Sequence, residues 1–154
     1  MSMPAGSSEG GPLSRRDLAR GALAGVGMAL GVGLAWAFLL VVVGLHTGLI
    51  AVAALGGWAV GVAVRRTAVA TVDAARPVKP GVVRGLAAFC AVLAWAIGVS
   101  LSYLLSQLLL PEAATPLAER LSLGGLMAYA IETFDPVQAV SIVILAVVAW
   151  RSAR

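Results

Sequence analysis

The sequence predicts an all-α integral membrane protein: a bundle of four transmembrane helices with a short outer helix that is interfacial or re-entrant. Two observations support this fold class. Charged residues are 12% of the 154 residues, about half the share found in soluble domains. In addition, residues 21–64 contain no charged side chain, and this run is long enough for two spans of roughly 20 residues each but too long for one.

The first 13 residues are rich in Gly, Ser and Pro, which predicts a disordered tail before a single membrane domain over residues 14–154. Residues 14–16 (SRR) before an apolar run resemble a twin-arginine export signal, and residues 35–37 (AWA) offer a cleavage site. The apolar run continues past residue 37, however, beyond the roughly 7–15-residue core of a signal peptide. We therefore expect an uncleaved first helix over about residues 18–44.

A short turn at residues 45–48 separates the first helix from a second helix over about 49–64. A turn of this length makes the two helices antiparallel neighbours. Both carry small residues at four-residue spacing, which let helix backbones approach each other in lipid. We expect the two helices to pack closely through these residues: Gly25, Ala29 and Gly33 in the first helix, and Ala53, Gly57 and Gly61 in the second.

The second helix and its turn, HTGLIAVAALGGWAVGVAVRR at residues 46–66, resemble small bacterial multispanning membrane proteins of unknown function. In these proteins a short TG-containing turn leads into an apolar helix with a GxxVGxAVR-like end. A later span ends in an alanine-rich AxxAxR-like stretch, which here is residues 146–151. The resemblance covers about half of the chain. It implies a multispanning membrane module and transfers no catalytic residue.

The loop over residues 65–84 holds five basic residues against one acid, and two prolines interrupt any helix within it. Its basic side chains are able to bind anionic lipid headgroups, but a plain topology signal is the interpretation that we favour. A third helix follows over about 82–110. The polar residues in its second half either satisfy backbone carbonyls or bond a neighbouring helix, or they line a polar path, and the lack of an ionisable group argues against the path. These residues are Ser100, Ser102, Tyr103, Ser106 and Gln107.

An outer segment precedes the last span. Both Thr115-Pro116 and Asp135-Pro136 have the pattern of an N-cap residue followed by a proline at the first helical position. We expect a short helix over 117–131 that lies in the outer interface or dips into the membrane.

The last span is predicted over about residues 134–151. Its apolar run from Pro136 to Trp150 is only about 22 Å long, so either the bilayer adapts or upstream residues extend the span with a kink at Pro136. Glu132 and Asp135 precede this span. They either form a functional carboxylate pair or, as we favour, serve as cap and dipole partners of the helix.

Basic residues predict the orientation. Four spans put both termini and the 65–84 loop on one side of the membrane, and that side holds ten of the eleven Lys and Arg residues. The positive-inside rule therefore predicts a multi-pass protein of the inner (plasma) membrane with both termini in the cytoplasm. The arginines predicted to anchor the spans at this surface are Arg15, Arg16, Arg20, Arg65, Arg66 and Arg151.

The sequence presents no motif for catalysis, for a cofactor or for a metal, and we predict no such site. Gly25 and Gly27 lack the GxGxxG spacing, and Cys90 stands alone in an apolar run, as a core residue would. Basic residues that flank apolar spans do not indicate a nucleic acid. The expected partners are the lipid bilayer, with anionic lipid at the 65–84 loop, and a second copy of the chain or another membrane protein.

Two functions are left open by the sequence. One is a non-enzymatic membrane module that assembles with itself or with a partner. The other is a small transporter or channel that is built as an oligomer. The middle of every predicted span lacks ionisable residues, which are the usual mark of pumps and carriers, and this favours the module.

Overall fold

Helices make up nearly all of the chain that the computed structural model describes, which is residues 15–44, 48–69, 80–109 and 122–154. No strand occurs within these ranges, so the predicted all-α class is confirmed. The helices are α1 (Arg15–Ala37), continued by a π-helical segment (Phe38–Val43), α2 (Gly48–Val69), α3 (Pro80–Leu109), α4 (Leu123–Thr133) and α5 (Pro136–Ser152). The predicted tail at 1–13 and the predicted helix start at 115–116 lie outside the described residues.

The first helical stretch ends at a glycine. α1 passes without a break into the π-helical segment, after which Gly44 takes a left-handed conformation with φ of 66° and donates its N–H to the carbonyl of Leu39. This is a common way to end a helix, and glycine adopts it without strain because it has no Cβ atom. The observed end agrees with the predicted boundary near residue 44. The predicted turn falls mainly on residues 45–47, which the structure does not describe.

α2 is longer than its predicted range of about 49–64. It begins at Gly48 and continues past Arg65 and Arg66 to Val69. The prediction ended the helix at the arginines because they end the apolar run, yet arginine is a good helix former and continues a helix beyond the apolar layer. α3 begins at Pro80, a residue whose fixed φ suits a first turn, and its end at Leu109 agrees with the predicted range of about 82–110.

A bend of 97° separates α4 from α5. At this bend the Oδ1 atom of Asp135 accepts the backbone N–H of Gln138 at 2.7 Å, which confirms the predicted start of the last helix at Asp135-Pro136. The predicted alternative of an upstream extension with a kink at Pro136 corresponds to α4 and α5 taken together, as one broken span or a re-entrant loop. α5 itself begins at Pro136 and ends at Ser152.

The contacts of the glycines fix the relative directions of the helices. α1 is antiparallel to α2 and parallel to α3, while α2 is parallel to α5. The N-terminal ends of α1 and α3 and the C-terminal ends of α2 and α5 therefore lie at one end of the bundle. The contacting pairs are Gly21 with Ala68 and Val32 with Gly56 for α1–α2, Gly25 with Cys90 and Gly33 with Ile97 for α1–α3, and Gly57 with Leu145 and Gly61 with Ala149 for α2–α5.

Around the bundle the order of the helices is α1, α2, α5 and α3. α2 and α3 also touch each other, which leaves α1 and α5 on the longer diagonal. The largest fully buried apolar side chains are those of Trp36, Leu49 and Leu145, and most of the remaining core is alanine, valine and glycine. Small core residues allow the four backbones to approach closely.

Three stretches are long and apolar enough to cross a bilayer, namely Ala19–Val43, Gly48–Ala68 and Gly81–Leu109. A fourth crossing is obtained when α4 and α5 are counted as one broken span. α5 alone has 17 residues, or about 25 Å, against roughly 30 Å of hydrocarbon. The predicted fourth span therefore depends on how the bilayer accommodates α5.

Candidate functional site

The glycine pair of α2 packs against the last helix of the bundle. A Cβ atom on Gly57 would lie 2.5 Å from the carbonyl oxygen of Leu145, and one on Gly61 would lie 2.6 Å from the carbonyl oxygen of Ala149. Ala53, one turn before Gly57, is fully buried. The prediction that Gly57 and Gly61 pack against the first helix is therefore wrong as to the partner, because α5 occupies this face.

A different glycine of α2 meets α1. A Cβ atom on Gly56 would lie 2.7 Å from the Cγ1 atom of Val32. Adjacent residues of a helix are rotated by about 100°, so Gly56 and Gly57 point to different neighbours. The sequence shows both glycines, but it contains no signal that assigns each one to its neighbouring helix.

The predicted small residues of α1 face α3, and Gly25 also meets α2 as predicted. A Cβ atom on Gly25 would lie 2.6 Å from the Sγ atom of Cys90 and 2.9 Å from the Cγ2 atom of Val64, and one on Gly33 would lie 3.1 Å from the carbonyl oxygen of Ala94. Ala29, between them, is fully buried. This row of α1 is thus enclosed by its own chain, and Cys90 is a core residue, as its surroundings in the sequence predict.

A second row of small residues on α1 has no such neighbour. Gly27, Gly31 and Ala35 follow one another at four-residue spacing and are exposed. No atom of the described residues lies within 4 Å of a Cβ atom placed on Gly27 or Gly31. Large apolar side chains beside this row are also exposed, among them Leu30 and Leu34. We call the surface formed by Gly27, Gly31 and Ala35 the outer glycine face.

The predicted anchoring arginines lie at one end of the bundle. Arg15 and Arg16 are in the first turn of α1, and the directions of the helices bring the end of α2 and the end of α5 to the same level. The exposed arginine side chains at this end are Arg20, Arg65, Arg66, Arg151 and Arg154, and the half-buried Arg84 at the start of α3 joins them. Residues 70–79 of the basic loop, with its two other basic side chains, lie outside the described residues.

The acidic residues Glu132 and Asp135 lie at the opposite end. Asp135 caps α5 through its bond to the N–H of Gln138, which is the structural role favoured by the sequence. Glu132 is exposed on α4. Within the part of the chain that the structure describes, no three His, Cys, Asp or Glu residues come close enough to hold a metal.

The outer helix α4 rests on the end of α3. The rings of Tyr103 and Tyr129 lie 5.5 Å apart between centroids, and Gly125 touches the hydroxyl of Tyr103. Near the bend, the rings of Trp95 and Phe134 meet edge to face at 6.5 Å. No residue of α4 itself is fully buried. An interfacial and a re-entrant position both agree with this geometry, so the choice between them stays a prediction.

The serines of α3 bond within their own helix. Ser100, Ser102 and Ser106 donate to the carbonyls of Ala96, Gly98 and Tyr103, each at 2.8 Å. This arrangement satisfies the hydroxyl groups locally. It agrees with the structural interpretation of these serines rather than with a polar path.

A polar pair in α5 is the feature that the sequence analysis missed. Gln138 and Ser141 are 1% and 0% exposed, and neither side chain has a hydrogen-bond partner among the described residues. They are the only polar side chains between residues 136 and 150, and their spacing of three places them on the face that also buries Leu145 and Ala149. This three-residue spacing is visible in the sequence and would have predicted that the two polar side chains share one face of the helix.

No protein-family model, curated protein or solved structure matches this chain. The resemblance to small bacterial membrane proteins therefore stays a prediction.

Proposed function

We propose that the protein is a non-enzymatic membrane module that assembles with another transmembrane helix through the outer glycine face of α1. A second copy of the chain is the first partner to consider, and another membrane protein is the alternative. The observation that carries this proposal is the contrast between the two rows of small residues on α1. One row is enclosed by α2 and α3, whereas Gly27 and Gly31 meet no atom of the described residues.

The physical basis lies in how helices associate in lipid. The hydrophobic effect does not drive this association, so close van der Waals contact between backbones does, and small residues four apart permit it. An exposed glycine within a helix costs up to about 1 kcal/mol relative to alanine. Gly27 and Gly31 bring this cost without a compensating contact from the described residues of the chain. A helix from another molecule would supply that contact.

Self-assembly is the simplest form of the proposal. A face of small residues is complementary to a copy of itself, because two such faces bring both backbones together. Exposed Leu30 and Leu34 stand next to the face and would enclose the second helix. The module also needs no reactive group, which agrees with the local hydrogen bonding of the serines in α3.

The basic end of the bundle belongs on the cytoplasmic side in this proposal. Support comes from the exposed arginines at the ends of α1, α2 and α5, with the acidic Glu132 and Asp135 at the other end. By the positive-inside rule, this arrangement fits a multi-pass protein of the inner (plasma) membrane with both termini in the cytoplasm. Exposed Arg65 and Arg66 would lie at the headgroups, where each basic residue gains about 1 kcal/mol from anionic lipid.

A small transporter or channel is the alternative function. Within the described residues, α2 meets α5 and α1 meets α3 at backbone contact distance, which favours a packed module over a path inside one bundle. A flux assay on the protein reconstituted in liposomes separates the two, since a module gives no flux above that of empty liposomes.

Association can be measured directly. Full-length protein carrying donor or acceptor fluorophores on its N-terminus is mixed in liposomes, and energy transfer is followed as lipid dilutes the protein. We expect the wild type to associate and the Gly31→Leu variant to associate at least tenfold more weakly, because a leucine side chain separates the two backbones. Gly27→Leu should act in the same direction.

Gly85→Leu is the matched control. Gly85 is an exposed helical glycine of α3 with no atom within 4 Å of a placed Cβ, as at Gly31. This variant should associate like the wild type, and all three variants should keep the thermal stability of the monomer in detergent. Energy transfer no higher than that of randomly distributed monomers would overturn self-assembly. Equal association of Gly31→Leu and wild type would remove the outer glycine face from the interface.

A further inference from the structure

Two adjacent polar side chains inside the bundle have no hydrogen-bond partner among the described residues. They are Gln138, whose Nε2 and Oε1 atoms are both unpaired, and Ser141, whose Oγ atom is unpaired. Each side chain is at least 99% buried. Buried polar groups in proteins are nearly always paired, with protein atoms or with small molecules, because leaving them unpaired is costly.

Comparison with the other hydroxyl groups in the helices shows that the unpaired hydroxyl of Ser141 is unusual. Thr67 and Thr133 donate to the carbonyls of Ala63 and Tyr129, four residues earlier, at 2.7 Å. The serines of α3 described above do the same within one turn. Ser141 also has a backbone carbonyl one turn earlier in α5, but its hydroxyl donates no hydrogen bond to it. Its hydroxyl is therefore available to something other than its own helix.

The parallel contact of α2 and α5 locates the pair in the bundle. Gly57 packs on Leu145 and Gly61 on Ala149, so one turn earlier Ser141 lies level with Ala53, and Gln138 lies level with Leu49. Leu49 and Ala53 are fully buried and apolar. They therefore offer the polar pair no side-chain partner.

We propose that Gln138 and Ser141 form a binding site in the bundle core for a small neutral molecule that both donates and accepts hydrogen bonds. Water and small amides or polyols belong to this class. The donor is the Gln138 amide nitrogen, the acceptor is the Gln138 carbonyl oxygen, and the Ser141 hydroxyl serves as either. A metal cation would need oxygen acceptors alone, and an anion would need donors alone, so this mixed set fits neither.

Glutamine labelling makes the site observable. The chain contains only two glutamines, Gln107 and Gln138, so protein labelled at the glutamine side-chain nitrogen gives two amide signals. Gln138→Met assigns them, because methionine has a similar length and no amide. In lipid bilayers, solid-state NMR with transfer of magnetisation from water should show water next to the Gln138 amide. The same measurement is repeated with acetamide and with glycerol.

The measurements with acetamide and with glycerol distinguish a bound small solute from bound water. If acetamide or glycerol shifts the Gln138 signal and removes the water transfer in a saturable way, the site takes a small solute. If the water transfer is unaffected by either, the site holds water. Both results support a site for a neutral hydrogen-bonding molecule. Absence of water transfer together with absence of any shift overturns it.

Thermal stability in detergent gives a second readout. A dry, unpaired amide destabilises the fold, so its replacement in Gln138→Met would raise the melting temperature. An occupied site predicts instead an unchanged or lower melting temperature, because the bound molecule loses a partner. Ser141→Ala should act in the same direction as Gln138→Met. A melting temperature several degrees above wild type in both variants would overturn the proposal.

Discussion

The carbonyl oxygen of Leu145 lies 2.5 Å from the position that a Cβ atom on Gly57 would occupy, so α2 and α5 touch through their backbones. Gly61 repeats the relationship one turn later with the carbonyl oxygen of Ala149 at 2.6 Å. A side chain at either position would have to displace a helix backbone and not the flexible end of a side chain. The contact between these two helices therefore requires glycine at both positions.

The first prediction concerns this contact. Gly57→Leu or Gly61→Leu should lower the melting temperature in detergent, because overpacking a tight core costs about 1–3 kcal/mol and a rigid backbone leaves little room to relax. Gly85→Leu, at an exposed glycine of α3, should melt close to the wild type. Equal melting of the α2 variants and this control would show that α5 does not cover the face.

The second prediction concerns the contact of α1 with α3. A Cβ atom on Gly25 would lie 2.6 Å from the Sγ atom of Cys90, so Gly25→Ala should destabilise the protein by about 1 kcal/mol or more. Gly27→Ala, two residues away on the outer glycine face, should be neutral or stabilising by up to about 1 kcal/mol, since alanine is the better helix former.

A double-mutant cycle attributes the effect of Gly25→Ala to its neighbour. In a Cys90→Ala background the sulfur atom is gone, so adding the methyl group at Gly25 should cost clearly less than in the wild type, with a coupling of about 0.5–3 kcal/mol. Melting curves of the four proteins give this coupling. Additive effects would mean that the two residues do not touch.

The sequence predicted the helices well because apolar length and charge are local properties. The boundaries of α1 and α3 agree within a few residues, and the cap at Asp135 was readable from Asp135-Pro136 alone. α2 was predicted too short because Arg65 ends the apolar run without ending the helix.

The pairing of faces could not be predicted in the same way. Gly56 and Gly57 are neighbours in the sequence, but one meets α1 and the other meets α5. Which face meets which helix depends on where α5 lies, and no local pattern encodes that position. The unpaired state of Gln138 likewise depends on the apolar residues opposite it, which belong to another helix.

The third prediction separates a cap from a functional carboxylate. Asp135 accepts the N–H of Gln138, so Asp135→Ala should cost about 1 kcal/mol of stability, whereas Asp135→Asn should keep most of it because asparagine caps about as well. Glu132→Gln should leave stability unchanged, since Glu132 is exposed. Thermal melting of the three variants tests this. A loss in Asp135→Asn as large as that in Asp135→Ala would show that the charge matters beyond the cap.

The fourth prediction is that the first helix is retained in the mature protein. α1 continues without a break through Ala37 into the π-helical segment, and Trp36 is fully buried beside Gly98 of α3. Cleavage after Ala37 would remove the helix that packs on α3. Intact-mass measurement of the membrane-extracted protein should therefore include residues 18–37. A mass that begins after Ala37 would establish the export-signal interpretation instead.

The fifth prediction is the topology. The directions of the helices bring the start of α1 and the ends of α2 and α5 to one end of the bundle, where exposed Arg20, Arg66 and Arg151 lie. The positive-inside rule places this end in the cytoplasm. Reporter fusions after Arg66 and after Arg154 should thus both read cytoplasmic.

A fusion near residue 115 is the internal control for that topology and should read outside, because α3 carries the chain across the membrane between Arg66 and residue 115. The fusion after Arg154 tests whether α5 crosses the membrane, since α5 is about 25 Å long and follows a 97° bend. If α5 fails to cross, the fusion after Arg154 reads outside while the other two stay as predicted. That single change would reduce the bundle to three spans and place Arg151 on the outer surface.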